Sequence, residues 1–175
     1  MILPIYGYGF SVLKKECEDI DKDYEKLDVL IKNMWETMYN ASGVGLAAPQ
    51  IGRDIRLFMV DTIQILEDEE KEIVEESGEK WAYEEGCLSI PFIRADVMRQ
   101  PDITIEYLDE DFKPQVDKLT GINARVVQHE YDHINGVLFI DYLKPLKKKL
   151  LKRKLEAIKK GNIDPDYRMK YANPK

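Results

Sequence analysis

Gln128-His129-Glu130-Tyr131-Asp132-His133 contains both histidines of the 175-residue chain. On a helix, residues four positions apart share one face, so His129 and His133 can bind the same cation. Glu130 lies beside the pair, where its carboxylate can take and return protons. This HExxH pattern therefore predicts a helix that carries two metal ligands and a general acid/base.

The third metal ligand has to come from another residue type. A catalytic metal site usually has three protein ligands and an open position for water, and the chain has no third histidine. A cysteine or a carboxylate must therefore complete the set. Cys17 lies in a charged approach to the first predicted helix and is interpreted as an incidental thiol. Cys87 follows Gly86, which allows tight backbone geometry, and we predict Cys87 as the ligand.

Three blocks of this sequence resemble the peptide deformylase family. Members of that family carry the patterns GxGLAAxQ, EGCLS and HExDH in this order. The matching residues here are Gly43-Val44-Gly45-Leu46-Ala47-Ala48-Pro49-Gln50, then Glu85-Gly86-Cys87-Leu88-Ser89, then His129-Glu130-Tyr131-Asp132-His133. HExxH alone would be weak evidence, because many metalloproteases share it. The resemblance covers the chain from Ile2 to Lys160.

The resemblance implies a metal-dependent hydrolase that removes the N-formyl group from the N-terminal formylmethionine of newly made polypeptides. The nucleophile would be water or hydroxide on a divalent ion, which brings the pKa of bound water toward ~7. Glu130 would act as general acid and base. The implied fold is α+β, with mixed and antiparallel sheets around a central metal-binding helix and a further helix near the C-terminus.

The family also implies roles for residues in the two other blocks. The Gln50 side chain and the backbone N–H of Leu88 would form the hole that stabilises the developing oxyanion. Gly45 would let an extended substrate pair with the backbone as an added strand. The residues that match the pocket for the methionine side chain include Val44, Tyr83 and Val126.

The metal itself is less constrained than its ligands. One thiolate and two imidazoles suit zinc, iron(II), cobalt and nickel. The resemblance points to one ion per chain, with iron(II) as the physiological ion. Glu85, Ser89 and Asp132 are interpreted as residues that orient the ligands. Arg125, one helical turn before His129, is expected at the rim of the methionine pocket, without an assigned role.

Composition favours a single soluble domain. The chain is 44 % hydrophobic and 34 % charged, and its first residues lack the basic and apolar regions of a signal peptide. A cytoplasmic protein is therefore expected, with no membrane or DNA partner. The resemblance implies a bacterial cytoplasm or an organelle derived from a bacterium, and the lack of a transit peptide favours the bacterial case. We expect a catalytic domain over residues 1–162 and an irregular tail over residues 163–175. The acidic stretch 67–85 is expected to be an exposed hairpin or loop without a role.

Hydrophobic periodicity predicts three helices and several short strands. The helices are expected at Asp23–Asn40, Gly121–Asn135 and Leu146–Lys160. Extended segments are expected at Ile55–Val60, Ile103–Leu108 and Leu138–Ile140.

Two other functions remain open. The first is a zinc endopeptidase, in which Glu156 would replace Cys87 as the third ligand. The second is a ribosome- or RNA-binding module without catalysis, because residues 146–160 form a basic amphipathic helix with eight Lys and Arg between Lys147 and Lys160. The binding role can coexist with catalysis, since some deformylases dock such a helix on the ribosome. We expect at most a weak ribosome contact.

Overall fold

The computed structural model describes residues 1–62 and 80–174. The α-helices in these residues are α1 (Leu27–Asn40), α2 (Gly121–Ile134) and α3 (Pro145–Lys159). The β-strands are β1 (Ile5–Tyr6), β2 (Gly45–Ala47), β3 (Phe58–Val60), β4 (Trp81–Cys87), β5 (Ile90–Arg99), β6 (Asp102–Leu108), β7 (Pro114–Thr120) and β8 (Met169–Lys170).

The described strands pair as two-stranded sheets. β2–β3, β4–β5 and β6–β7 are antiparallel, and β1–β8 is parallel. Helix α2 packs against β2, β3, β6 and β7, so it occupies the centre of the fold. The predicted α+β class, with small sheets around a central helix and a C-terminal helix, is confirmed.

Glycines fix both ends of α2. Gly121 begins the helix with φ of +55°, and Gly136 follows its end with φ of +71°. A methyl group at Gly136 would also lie 2.8 Å from the backbone of Lys14. This stop therefore needs glycine both for its left-handed conformation and for the close approach of another chain segment.

The β4–β5 hairpin places Cys87, the last residue of β4, beside the central helix α2. Side chains along β5 alternate between buried and exposed, as expected when one face of a strand covers a core. Ile90, Ile93 and Val97 face inward and pack in a cluster with Phe139 and with α3 residues such as Ile158. A second cluster joins α1 to β2 and β3.

Three of the predicted elements were wrong in detail. The strand expected at Ile55–Val60 is limited to Phe58–Val60, because Ile55 instead forms an isolated bridge with Glu18. Residues 139–142 form a 3₁₀ turn rather than a strand, because the Asp141 carboxylate accepts a hydrogen bond from the Leu138 N–H at 2.8 Å and closes a local turn. Helix α1 begins at Leu27 rather than Asp23, because Lys26 has φ of +59°, which a right-handed helix does not allow.

The C-terminal segment is more regular than expected. We predicted an irregular tail from residue 163, but Met169–Lys170 pairs in parallel with Ile5–Tyr6. Backbone hydrogen bonds from Ile5 to Arg168 and from Gly7 to Lys170, both 2.9 Å, hold the two termini together. The sequence pattern gave little sign of this strand because it is only two residues long.

The expected exposed loop over residues 67–85 lies largely outside the described residues. Its last part, from Trp81, belongs to β4. No helix in the described parts of the chain is both long and apolar enough to cross a membrane.

Candidate metal centre and active site

Three potential metal ligands converge where β4 meets α2. The ligand atoms of Cys87, His129 and His133 all lie within 4.8 Å of one another. The Cys87 Sγ atom is 3.3 Å from His133 Nε2. Cys87 is the last residue of β4, and the histidines lie one helical turn apart on α2. The structure therefore brings together the three residues that the sequence predicted as ligands.

Glu130 lies beside this cluster and is closely packed. Its side chain is buried, and its Oε2 atom has no hydrogen-bond partner among the described residues. A Cβ atom built at Gly45 would lie 2.5 Å from Glu130 Oε1. Gly45 is therefore required because any side chain would occupy the place of the Glu130 carboxylate.

The Glu85 carboxylate binds three cationic or polar side chains in the protein interior. It accepts hydrogen bonds from Arg99 Nε at 2.6 Å, from Arg99 Nη2 at 3.0 Å and from Arg125 Nη1 at 2.9 Å. His129 Nδ1 is 3.0 Å from Glu85 Oε2, the oxygen that also accepts the hydrogen bond from Arg99 Nη2. Both arginines and the glutamate are at most 5 % exposed.

The contact with Glu85 determines how His129 can act. A carboxylate accepts hydrogen bonds, so Nδ1 of His129 carries the proton. Nε2 is then the ring nitrogen that is left to bind a metal ion together with the other two ligands. A carboxylate behind a histidine ligand is a common arrangement that fixes the tautomer and the ring orientation.

Burial acts in opposite ways on the two glutamates. Burial alone would raise the pKa of Glu85, but the hydrogen bonds from His129 and Arg99 outweigh it and hold that pKa well below its usual value. Glu85 therefore remains an anion. Burial raises the pKa of Glu130 to about 7, because Glu130 lacks comparable partners. A carboxyl group with a pKa near neutrality can both accept and donate a proton.

Gln50 is held so that its amide N–H₂ points at the cluster. Its Oε1 atom accepts a hydrogen bond from the Ala47 N–H at 2.8 Å. Its Nε2 atom lies 3.5 Å from Cys87 Sγ. Since the side chain is fully buried, it cannot turn away from this position. A fixed neutral donor of this kind can stabilise negative charge on a substrate oxygen.

Leu88 follows the cysteine, and a residue of the C-terminal segment forms a hydrogen bond with its backbone. Its carbonyl oxygen accepts a hydrogen bond from the Tyr167 hydroxyl at 2.8 Å. Burial raises the pKa of Tyr167, so this hydroxyl stays protonated and continues to donate. Sequence reasoning missed Tyr167, because nothing in its local pattern indicates a contact with a residue so distant in the chain.

A cavity of about 550 Å³ opens beside the cluster. The residues predicted to bind substrate all line it: Val44, Gly45, Tyr83 and Val126. Arg125 also contributes to the lining but is 2 % exposed, so it lies beneath the pocket rather than at the rim that we predicted. Its guanidinium stacks over Trp81 at 4.5 Å and over Tyr83 at 5.7 Å, and so supports the pocket wall from behind.

Asp132 and Ser89, which were also predicted to orient the ligands, differ in their hydrogen bonds. The Asp132 carboxylate accepts a hydrogen bond from Arg99 at 2.7 Å, and the Tyr142 hydroxyl donates to it at 3.0 Å. The buried Ser89 hydroxyl has no hydrogen-bond partner within the described parts of the chain. Arg99 was missed from the sequence, although an arginine on the inward face of an alternating strand is a signal of a buried ion pair.

The remaining candidates lie away from the cluster. Glu156, the alternative third ligand of a zinc endopeptidase, is exposed on α3. Cys17 is buried against Ala47 and Ile134. By contrast, the donor set of one thiolate and two imidazoles fits a borderline-soft divalent cation, and the unpartnered Glu130 oxygen borders the same space.

Comparison with known proteins identifies relatives of the whole chain. A family model described as "Polypeptide deformylase" matches residues 2–149. A protein of Christiangramia forsetii named "Peptide deformylase" is 54 % identical, with 100 % of this chain and 98 % of the relative covered. A protein of Cytophaga hutchinsonii with the same name is 50 % identical, with 98 % of each chain covered.

Comparison with solved structures also identifies peptide deformylases as similar proteins. The crystal structure of a peptide deformylase from Legionella pneumophila is similar with a TM-score of 0.78 and 39 % identity, covering 93 % of this chain and 98 % of the other. A peptide deformylase from Ehrlichia chaffeensis in complex with actinonin is similar with a TM-score of 0.78 and 31 % identity, covering 93 % and 99 %.

The buried Arg99–Glu85 pair should dominate the stability of the hairpin. We expect Arg99→Ala to lower the free energy of unfolding by about 3–5 kcal/mol, because the Glu85 charge would lose a buried partner. Arg94→Ala is the matched control, since Arg94 pairs with Glu84 across the same strands but both side chains are more than 60 % exposed. That variant should lose about 1 kcal/mol or less. Urea denaturation measures the free energy of unfolding of both variants, and equal losses would contradict the dominant role of the buried pair.

A methyl group at position 45 should displace the Glu130 carboxylate without unfolding the protein. The atoms that it would meet are Oε1, Cδ and Cγ of the Glu130 side chain, and no backbone atom is among them. We therefore expect Gly45→Ala to retain bound metal and most of its thermal stability but to lose about 10²-fold or more in hydrolytic turnover. Turnover close to that of the unmodified chain would show that the contact is unimportant.

Proposed function

The chain belongs to the peptide deformylase family of enzymes, and from this premise we propose that it removes the formyl group from the N-terminal formylmethionine of newly made polypeptides. One observation carries the proposal most directly. The ligand atoms of Cys87, His129 and His133 lie within 4.8 Å of one another, and Glu130 is buried beside them. The endopeptidase alternative lacks this support, because its third ligand would be the exposed Glu156.

We propose that Cys87, His129 and His133 hold one divalent cation per chain, with iron(II) as the physiological ion. Zinc, nickel and cobalt suit the same donors. When bound, the cation would polarise the formyl carbonyl and acidify a water molecule toward a pKa of about 7. A ferrous ion beside a thiolate would also make the enzyme sensitive to oxidation.

Glu130 would move the proton that the reaction requires. Its carboxylate would take a proton from the attacking water and deliver it to the amine nitrogen as the C–N bond breaks. The products are formate and the free N-terminus of methionine. The pKa of about 7 for Glu130 supports this double role, because both protonation states are accessible near neutrality.

Gln50 and Leu88 would stabilise the negative charge that develops on the carbonyl oxygen. The Gln50 amide is already oriented by the Ala47 N–H, and the Leu88 segment is held by Tyr167. Little reorganisation would therefore be needed during the reaction. The loss of one such donor typically costs about 3–4 kcal/mol of transition-state stabilisation.

The substrate would enter as an extended strand. β2 pairs with β3 along one edge, and none of the described strands pairs with its other edge. Gly45 keeps this segment free of side-chain bulk. The methionine side chain would occupy the cavity that Val44, Tyr83 and Val126 line.

We further propose that residues 1–162 carry the catalytic groups, that the C-terminal segment supports them through Tyr167, and that the enzyme acts in a bacterial cytoplasm. The relatives named above from Christiangramia forsetii and Cytophaga hutchinsonii are bacterial proteins. Cys17 and Cys87 are both free thiols, which a reducing compartment would preserve.

Replacement of Glu130 should separate metal binding from catalysis. We expect Glu130→Gln to keep its metal but to lose about 10²–10⁴-fold in amine release from formyl-Met-Ala-Ser. Glu156→Gln is the matched control and should retain full activity and full metal content. An unformylated internal peptide should not be cleaved. Cleavage of that peptide, or loss of metal from Glu156→Gln, would favour the endopeptidase instead.

The basic helix α3 is the proposed site of a weak ribosome contact. In its first turns, Leu146 and Leu150 lie among lysines, and their side chains are 72 % and 73 % exposed. Leu155 and Ile158 are buried on the opposite side, so the helix is anchored in the core while its charged face is available.

Charge reversal on that face should abolish the ribosome contact. Lys149, Lys152 and Arg153 are exposed on neighbouring turns, so changing all three to Glu should remove cosedimentation with ribosomes at low salt. The same triple reversal at the exposed Lys22, Lys32 and Lys118 should leave cosedimentation unchanged. An equal effect of both triples would indicate a general charge effect, and no effect of the first would refute the contact.

A further inference from the structure

An unusual backbone conformation occurs at the mouth of the proposed active site. Gly86 of β4 pairs with Arg94 of β5, but the next residue, Cys87, pairs with Ile90. Residues 91–93 therefore form a bulge in β5 between the partners of Gly86 and Cys87. At the centre of this bulge, Phe92 has φ of +62°. Bulges beside active sites commonly redirect a side chain toward the site.

Glycine would adopt the backbone conformation at position 92 more easily than phenylalanine does. A bulky residue in the left-handed region is strained, whereas glycine adopts that conformation freely. The Phe92 side chain is 67 % exposed, so burial of the ring does not offset the strain. Its neighbours Pro91 and Ile93 are buried and hold the backbone in place. Strained residues that are held in this way cluster at functional sites.

The surroundings indicate what the ring could recognise. Phe92 lines the same cavity as Gly43, Val44 and the cysteine. The charged side chains nearby, Arg94 and Glu84, pair with each other at 3.1 Å. The ring is therefore an exposed apolar surface at the mouth of the cavity, beside charges that are already paired.

We propose that Phe92 is a specificity-determining residue that contacts an apolar side chain in the two substrate residues after formylmethionine. The inference rests on the proposed deformylase function. Because the methionine side chain fills the cavity, a ring at its mouth contacts the next residues of the substrate. The contact favours substrates with leucine or a similar side chain over those with aspartate at the same position.

The test compares formyl peptides that differ in one residue. The kcat/KM values are measured for formyl-Met-Leu-Ser against formyl-Met-Asp-Ser, and for formyl-Met-Ala-Leu against formyl-Met-Ala-Asp. We expect the unmodified chain to prefer leucine by about fivefold or more in at least one pair. Phe92→Gly should reduce that ratio toward one, mainly through a higher KM for the leucine peptide. Phe92→Tyr, which keeps the ring, should retain the preference.

The chain offers a matched control at a second phenylalanine with the same backbone conformation. Phe112 has φ of +59° and lies in the turn between β6 and β7, outside this cavity. Phe112→Gly relieves similar strain and should leave the preference for leucine unchanged.

The outcomes separate the two proposals. If Phe92→Gly keeps the preference for leucine, or if the unmodified chain has no such preference, the role of Phe92 is refuted while the deformylase function stands. If none of the formyl peptides is deformylated by the metal-loaded chain, the proposed function fails and this inference fails with it.

Discussion

The buried carboxylate of Glu85 is the constraint on which the site depends. It binds Arg99 from the partner strand and both Arg125 and His129 from the central helix. These groups are buried, so the removal of either arginine leaves part of the Glu85 charge without compensation, and the removal of His129 leaves a carboxylate oxygen with one hydrogen bond fewer. Cys87 lies two residues after Glu85 on the same strand. The ion-pair network therefore fixes the strand that carries the thiol against the helix that carries both imidazoles.

Local sequence patterns predicted the elements whose stability is largely local. The helix around His129 and the strand Ile103–Leu108 were recognised because apolar periodicity and glycine stops are short-range signals. The elements that were predicted wrongly depend on contacts with distant residues or on single side-chain hydrogen bonds to the backbone. The turn at residues 139–142 depends on one side-chain hydrogen bond, and the strand at residues 169–170 exists only because the N-terminal segment lies beside it.

The candidate site was predictable to the extent that its chemistry needs rare residue types. With two histidines and two cysteines in the chain, the choice of ligands was small. Arg99 and Tyr167 were missed because arginine and tyrosine are common, and their roles arise from contacts made in three dimensions. Arg125 was noticed for its spacing from His129, yet only the fold shows that it lies under the pocket and binds Glu85.

Rigidity and close packing explain why residues remote in sequence belong to one site. The Gln50 amide N–H₂ faces Cys87 because the Ala47 N–H occupies the amide oxygen, and the Glu130 carboxylate has room because Gly45 has no side chain. The Leu88 backbone is held by Tyr167, which is itself held where the two chain termini pair. A donor that is fixed in advance stabilises developing charge without a cost of reorganisation during the reaction. The C-terminal segment is thus part of the support for the site, although it contributes none of the proposed catalytic groups.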